Sequence, residues 1–145
     1  METPFNLLVL KAFHAQRSHV REAMSDLGLS PGQPKVMQFL LMHGASLQKD
    51  LAAKCAIEPS TISRLLEALE QRGLIARRTP ENDRRAEVVT LTESGNRMAE
   101  YELWPRFDKI NASSLAGFSA DEQRKFRDFL TRMYANLTGN DTGNE

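Results

Sequence analysis

Apolar residues recur at helical spacing along most of this chain, and they divide it into six predicted helices and one predicted hairpin. The predicted caps at the starts of the second, third, fifth and sixth helices are Ser30, Ser46, Thr92 and Ser119, and the glycines predicted at helix ends are Gly28, Gly44 and Gly73, the last in the left-handed conformation. The predicted helices cover residues 4–28, 30–44, 46–56, 59–72, 92–115 and 119–138. Pro105 interrupts the fifth pattern and predicts a kink there. No internal repeat is present.

The fourth predicted helix has the most regular pattern. Its apolar residues, spaced at i, i+3, i+4 and i+7, are Ile62, Leu65, Leu66 and Leu69. Its polar side begins with small hydroxyls and one arginine, a composition that lets a helix start approach phosphate closely and lets Arg64 reach a guanine edge. The residues in question are Ser60, Thr61, Ser63 and Arg64. An ordinary surface helix would show the same stripe.

Two short runs after this helix predict a hairpin. Residues 74–78 and 87–91 are rich in β-branched and apolar residues, and the segment between them is turn-rich. Asp83, Arg84 and Arg85 fall at the predicted tip, from which an arginine can enter a narrow minor groove. Asp83 is expected to hold a nearby arginine by a charge-assisted hydrogen bond. A solvated hairpin tip would carry the same charges.

Helix and hairpin together resemble the MarR family of transcriptional regulators. The matching segments are Pro-Ser-Thr-Ile-Ser-Arg-Leu at 59–65, Leu-Glu-Gln-Arg-Gly-Leu-Ile at 69–75, Asp-Arg-Arg at 83–85 and Val-Thr-Leu-Thr at 89–92. Two departures stand out. Glu58 occupies a position where the family often has the better helix caps aspartate or asparagine. The N-terminal cysteine of the family's peroxide-sensing branch has no counterpart here.

The resemblance implies a mostly α fold with a small β-hairpin wing. A winged helix-turn-helix would span about 30–92, and a helical dimerisation module built from both chain ends would span about 4–28 and 93–138. Residues 1–138 would then form a single domain, followed by a disordered tail at 139–145. The first, fifth and sixth helices are also more apolar than a lone winged helix can bury. They would either form a homodimer or complete a monomeric core.

The predicted DNA contacts are Ser60, Thr61, Ser63 and Arg64 in the major groove and Arg84 and Arg85 in the minor groove. Asp83 and Thr92 would support the wing, and a two-fold dimer would suit a palindromic operator in double-stranded DNA. The resemblance further implies a repressor controlled by a small aromatic or phenolic effector, bound between dimerisation module and winged helix. Phe13, Arg17 and Met37 are candidate lining residues there, although they fit a plain core equally well.

Charge changes this interpretation only locally. The chain has 19 basic and 19 acidic residues and a formal net charge of zero. Between Ser60 and Arg85, however, six arginines face four acids, and from Glu93 onward nine acids face seven bases. The predicted reading head is therefore mildly basic, and we expect modest non-specific DNA binding.

Other function classes find little support. The chain has no glycine-rich phosphate loop and no motif of the metalloproteases or serine hydrolases, so we predict no catalytic residues, no metal and no cofactor. Cys55 fits an inert, buried thiol better than an oxidation sensor. Without a signal peptide or a membrane-spanning run, a cytoplasmic protein is expected. A winged helix used only for protein contacts remains the alternative.

Overall fold

The computed structural model describes residues 1–139. It is mostly helical with a small antiparallel sheet, which confirms the predicted fold class. In chain order the elements are α1 (Phe5–Ala23), α2 (Gln33–His43), β1 (Ser46–Leu47), α3 (Gln48–Lys54), α4 (Pro59–Gln71), β2 (Ile75–Arg78), β3 (Val88–Leu91), α5 (Glu93–Met98), α6 (Trp104–Ser114) and α7 (Ala120–Thr138). The predicted tail lies outside the described residues except for Gly139.

The described chain forms two compact units, Met1–Ile110 and a second that begins at Asn111. The core of the first unit joins side chains of the helix-turn-helix, the sheet and the α5 region. Its completely buried members include Val36, Met37, Leu51, Leu66, Leu69, Val89 and Leu103. No helix within residues 1–139 combines the length and apolarity that crossing a membrane requires.

The helix-turn-helix consists of α3 and α4. Cys55 follows α3, Ala56 takes a positive φ of 52° in the turn, and the next helix begins at Pro59. Beyond α4 the chain reverses at Gly73, whose φ of 72° is the left-handed conformation predicted for this position. The reversal lets the Leu74 amide donate to the Leu69 carbonyl, so β2 starts directly against the end of α4.

The sheet has three strands in the order β1–β3–β2, one more than the predicted hairpin. Ser46 and Leu47 pair with Val89 and Val88, and the Ser46 hydroxyl donates to the Gly44 carbonyl at 2.9 Å. Ser46 therefore does not cap α3, which begins at Gln48 with no side-chain cap. Pairing with β3 satisfies the backbone here, and that pairing partner lies about forty residues away.

Two other predicted helix boundaries differ from the structure. The first helix ends at Ala23, and a 3₁₀ turn at Ser25–Leu27 leads to Gly28 in the left-handed conformation. This departure from the helix places Met24 in the core. The second helix begins at Gln33 rather than beside Ser30, whose amide donates to the buried Gln33 side chain at 2.8 Å.

Thr92 caps α5 as predicted. Its hydroxyl oxygen accepts from the Gly95 amide at 3.0 Å. The helix continues through a π-helical segment, Ala99–Leu103, into α6. The irregularity therefore lies upstream of Pro105, because a wider turn keeps the proline ring away from the carbonyl of the residue four positions earlier, Tyr101.

The two terminal helices bury little. Ser119 caps α7 as predicted, and it forms a capping box with Glu122. Neither α1 nor α7 contains a buried residue in the described chain. Their exposed large apolar side chains are Phe5, Leu7, Leu8, Leu10 and Phe13 on α1, and Phe126, Phe129, Leu130, Tyr134 and Leu137 on α7.

Candidate nucleic-acid interface

The outer face of α4 carries most of the predicted major-groove residues. Ile62, Leu66 and Leu69 are buried on the inner face, which leaves Ser60, Ser63 and Arg64 exposed on the outer side. Thr61 differs from them, because it is half-buried and faces a cleft beside the helix. The start of α4 receives no side-chain cap from Glu58, and Pro59 has no N–H to satisfy.

The wing tip presents both predicted arginines to solvent. Arg84 and Arg85 are exposed in the 79–87 loop that joins β2 to β3. The Asp83 carboxylate accepts a 3.0 Å hydrogen bond from the Arg85 amide, and its carbonyl accepts from the Ala86 amide. Asp83 therefore shapes the main chain of the tip and does not hold a guanidinium as expected. A short side chain satisfies a nearby amide more easily than a distant guanidinium.

Six arginines between residues 60 and 85 divide into two groups. Arg72 donates to the Gly28 carbonyl at 3.2 Å, and Arg77 pairs with Glu70 at 3.1 Å. The other four are exposed and form no ion pair within residues 1–139: Arg64, Arg78, Arg84 and Arg85. Arginines without an internal partner are the ones available to phosphates.

Arg78 is the residue that the sequence interpretation missed. Side chains alternate between the two faces of a strand, and Ile75 is the buried end of β2. Arg77 shares the inner face with Ile75, whereas Arg78 points outward with Ala76. The period-two rule, applied from Ile75, would have separated the two neighbouring arginines.

Thr92 holds the base of the wing against the end of α4. Its hydroxyl donates to the Gly73 carbonyl at 2.6 Å while accepting from the Gly95 amide, and its own amide donates to the Leu74 carbonyl. A single side chain thus joins the turn after α4 to the start of α5. A wing anchored in this way projects from a fixed base.

A cleft of about 420 Å³ lies between α1, the turn before α2 and the start of α4. Phe13 and Arg17, two of the three predicted lining residues, border it. Met37 does not, because its side chain is 0% exposed and belongs to the core. Glu58 and Thr61 also border the cleft, so a molecule bound there would touch the start of α4.

The charged groups of the cleft are mostly cationic. Arg17, Arg21 and Lys35 line it together with a single acid, Glu58. Burial lowers the pKa of Lys35, and the nearby charge of Arg17 lowers it further. The apolar part of the lining comes mainly from Phe13, Val20, Met24, Leu29, Ile57, Leu65 and Phe107. Such a site suits a small aromatic molecule that carries a negative charge.

Arg106 is the neighbour of Phe107, which borders this cleft. Its guanidinium donates to the Ala23 carbonyl at 2.7 Å and forms ion pairs with Asp26 and Glu102. The hydrogen bond from Arg106 lowers the pKa of the Asp26 carboxyl. The end of α1 is therefore tied to α6 beside Phe107.

Cys55 is 7% exposed, and burial raises the pKa of its thiol. The protonated thiol is a poor nucleophile, so this environment disfavours oxidation chemistry. Within residues 1–139, no cluster of three or more His, Cys, Asp and Glu side chains has the arrangement to hold a metal ion.

Comparison with known proteins agrees with this architecture. Residues 27–86, which contain the helix-turn-helix and most of the wing, match the sequence model of the MarR family. Over 126 residues the chain is 30% identical to the uncharacterized HTH-type transcriptional regulator YwaE of Bacillus subtilis, covering 85% of this chain and 73% of that protein. Over 84 residues it is 31% identical to the HTH-type transcriptional repressor MdtR of the same organism, covering 58% and 54%.

A solved structure shows the same fold. It comes from work on how 6-hydroxynicotinic acid regulates DNA binding by BpsR of Bordetella bronchiseptica. The two chains are 27% identical, with a TM-score of 0.81 over 90% of this chain and 93% of that one. These relatives are regulators and not enzymes, which confirms the prediction from the missing catalytic motifs. The helix-turn-helix, the wing and the matching relatives together show that this chain belongs to the MarR family of DNA-binding transcriptional regulators.

Proposed function

We propose that this protein is a dimeric repressor that binds a palindromic operator and releases it when a small aromatic or phenolic ligand occupies the cleft. The observation that carries the DNA-binding part is the set of exposed, unpaired arginines on α4 and the wing. Arg64 lies on the helix, and Arg78, Arg84 and Arg85 lie on the wing. In a chain of zero net charge, such a concentration of available cations marks the surface for phosphate.

In this proposal α4 enters the major groove. Ser60 and Ser63 approach phosphates and base edges, and Arg64 reads a guanine or grips a phosphate. Thr61 contributes from the side of the helix that also borders the cleft. Arg85, with Arg84 in support, enters the adjacent minor groove, while Asp83 and Thr92 keep the tip and the base of the wing in shape.

The terminal helices support the homodimer. Both α1 and α7 expose rows of large apolar side chains, and neither helix buries a residue in the described chain. We assign residues 4–28 and 93–138 to dimerisation and residues 30–92 to DNA reading. A two-fold axis would then set two α4 helices about 34 Å apart, which matches one turn of B-DNA.

The cleft supports ligand control. It has an aromatic and aliphatic lining, three cationic side chains and contact with the first turn of α4. A phenolate or an aromatic acid matches that lining, and BpsR is described as regulated by 6-hydroxynicotinic acid. A ligand wedged between α1 and α4 would shift the reading heads relative to the dimerisation helices and so change DNA affinity.

Repression follows from occupancy of promoter DNA, and the similarity to the repressor MdtR favours it over activation. The test is fluorescence anisotropy of the purified protein on duplex from upstream of its own gene, beside a random duplex of equal length, at several salt concentrations. We expect tight, salt-sensitive binding that prefers the upstream duplex. Absence of binding to either duplex at low salt would contradict the proposal and favour a protein-interaction module.

A further inference from the structure

Arg77 lies in an environment unlike that of the other wing arginines. It lies in the middle of β2 on the inner face, with a side chain 19% exposed. Its guanidinium donates to the Glu70 carboxylate of α4 at 3.1 Å. That hydrogen bond lowers the pKa of Glu70 and raises the pKa of Arg77, and Glu87 and Glu67 add to the second effect. Several carboxylates surround the Arg77 guanidinium and keep it bound within the protein.

The Glu70–Arg77 ion pair connects α4 to the strand that follows it. Helix α4 and strand β2 are joined by the short turn at Gly73, and Thr92 holds that turn. The buried side chains of Leu74 and Ile75 and the pairing with β3 hold the start of the strand, whereas its outer end, Arg78, is exposed. Glu70 lies before the turn and Arg77 after it, so their ion pair is a direct side-chain link between α4 and the outer half of β2.

The geometry of DNA binding amplifies small errors in this angle. A strand rises about 3.3 Å per residue, so the end of β2 lies roughly 16 Å from Gly73, and a swing of about 10° moves it by about 3 Å. A displacement of that size separates a hydrogen-bond donor from its acceptor. The wing tip lies farther out and would move more.

We propose that the Glu70–Arg77 ion pair sets the angle between α4 and the wing, so that helix and wing can occupy adjacent grooves together. Arg77 and Glu70 are positioning residues and do not touch DNA. The inference rests on the proposed function for its effect on binding. It predicts the opposite of what charge alone would predict. Removing a negative charge ordinarily strengthens binding to a polyanion, but removal of this acid should weaken binding to DNA.

The test compares Glu70→Gln with Glu67→Gln on the operator duplex. Both variants remove one negative charge from α4, but the exposed Glu67 forms no ion pair within the described residues. We expect Glu70→Gln to weaken binding by about three- to tenfold and Glu67→Gln to leave it unchanged or tighter. Arg77→Lys should restore part of the affinity lost in Arg77→Ala. Equal or tighter binding by Glu70→Gln would overturn the proposal.

A double-mutant cycle with Arg85→Ala separates positioning from general stability. If Glu70 acts through the wing, Arg85→Ala should cost less affinity in the Glu70→Gln background than in the wild type. Strictly additive losses would argue against the proposal. Should Glu70→Gln fail to fold, Glu70→Asp keeps the charge on a shorter side chain and should weaken binding in the same way.

A readout without DNA distinguishes failure of this inference from failure of the proposed function. Amide hydrogen exchange in β2 and β3 should be faster in Glu70→Gln than in Glu67→Gln, whether or not an operator is known. Unchanged exchange would overturn the inference on its own. Absence of DNA binding by the wild type would instead overturn the proposed function.

Discussion

At the scale of single residues, exposure and pairing distinguish side chains that are identical in sequence. Arg77 and Arg78 are neighbours, yet one is held by Glu70 and the other faces solvent. The same distinction separates Arg72, which follows α4 and donates to the Gly28 carbonyl, from the unpaired Arg64 within α4. DNA contacts should therefore follow available charge and not the number of arginines.

Arg85→Ala should weaken operator binding by roughly 1–3 kcal/mol, because a minor-groove arginine supplies both charge and shape recognition. Anisotropy titrations measure the loss. Arg84→Ala is the matched control at the adjacent exposed position, and we expect a smaller loss there. Unchanged affinity of a folded Arg85→Ala variant would remove Arg85 from the interface.

Arg64→Ala should relax sequence preference as well as lower affinity. If Arg64 reads a base edge, the difference in binding free energy between operator and random duplex should shrink by about 1–3 kcal/mol. A variant that lost affinity for both duplexes alike would identify Arg64 as a phosphate contact. Competition with random duplex gives the ratio directly.

Gly95→Ala should be among the most destabilising single changes in the protein. A Cβ at this position would lie 1.9 Å from the Leu74 carbonyl oxygen, so the start of α5 and the base of the wing would have to separate. We expect a loss of roughly 3 kcal/mol or more in unfolding free energy. Denaturant unfolding monitored by circular dichroism measures it, with Gly44→Ala, which meets no atom within 4 Å, as the comparison for backbone strain alone.

At the scale of elements, local patterns predicted what local interactions determine. Thr92 and Ser119 cap their helices because a hydroxyl reaches an amide three residues on, and Gly73 ends α4 because it accepts a positive φ. Ser46 was mispredicted because its strand partner is distant in sequence. The cleft could not be placed for the same reason: Phe13 and Arg17 meet Glu58 and Thr61 only through folding, and Met37 repeats at helical spacing like any core residue.

The capping box of α7 predicts a pH dependence. Hydrogen bonds from Ser119 lower the pKa of Glu122. A carboxyl whose pKa is lower in the folded state stabilises above its unfolded pKa of about 4.3, and the stabilisation is lost as pH falls through the folded value. The melting temperature of Glu122→Ala should therefore lie below that of the wild type at pH 7 and close to it near pH 3. A difference that persisted at low pH would contradict this account.

At the scale of the whole molecule, the unburied helices dominate. A monomeric protein rarely leaves ten large apolar side chains exposed on two helices unless they meet another surface. Leu130→Glu on α7 should therefore convert the proposed dimer into a monomer, because it would place a charge in the proposed apolar interface. Sedimentation velocity detects the halved mass. Asn136→Glu, exposed on the same helix, should leave the dimer intact.

Because α1 contains no buried residue, the stability of the protein should depend on its concentration in the cell. A helix that buries no residue completely is marginal in water, so we expect α1 to become fully ordered only on association. Folding of the ends and assembly then form one equilibrium, in which the melting temperature rises with protein concentration. A cell that makes few copies would hold a partly folded, protease-sensitive pool, and small changes in synthesis would alter the amount of competent regulator more than proportionally.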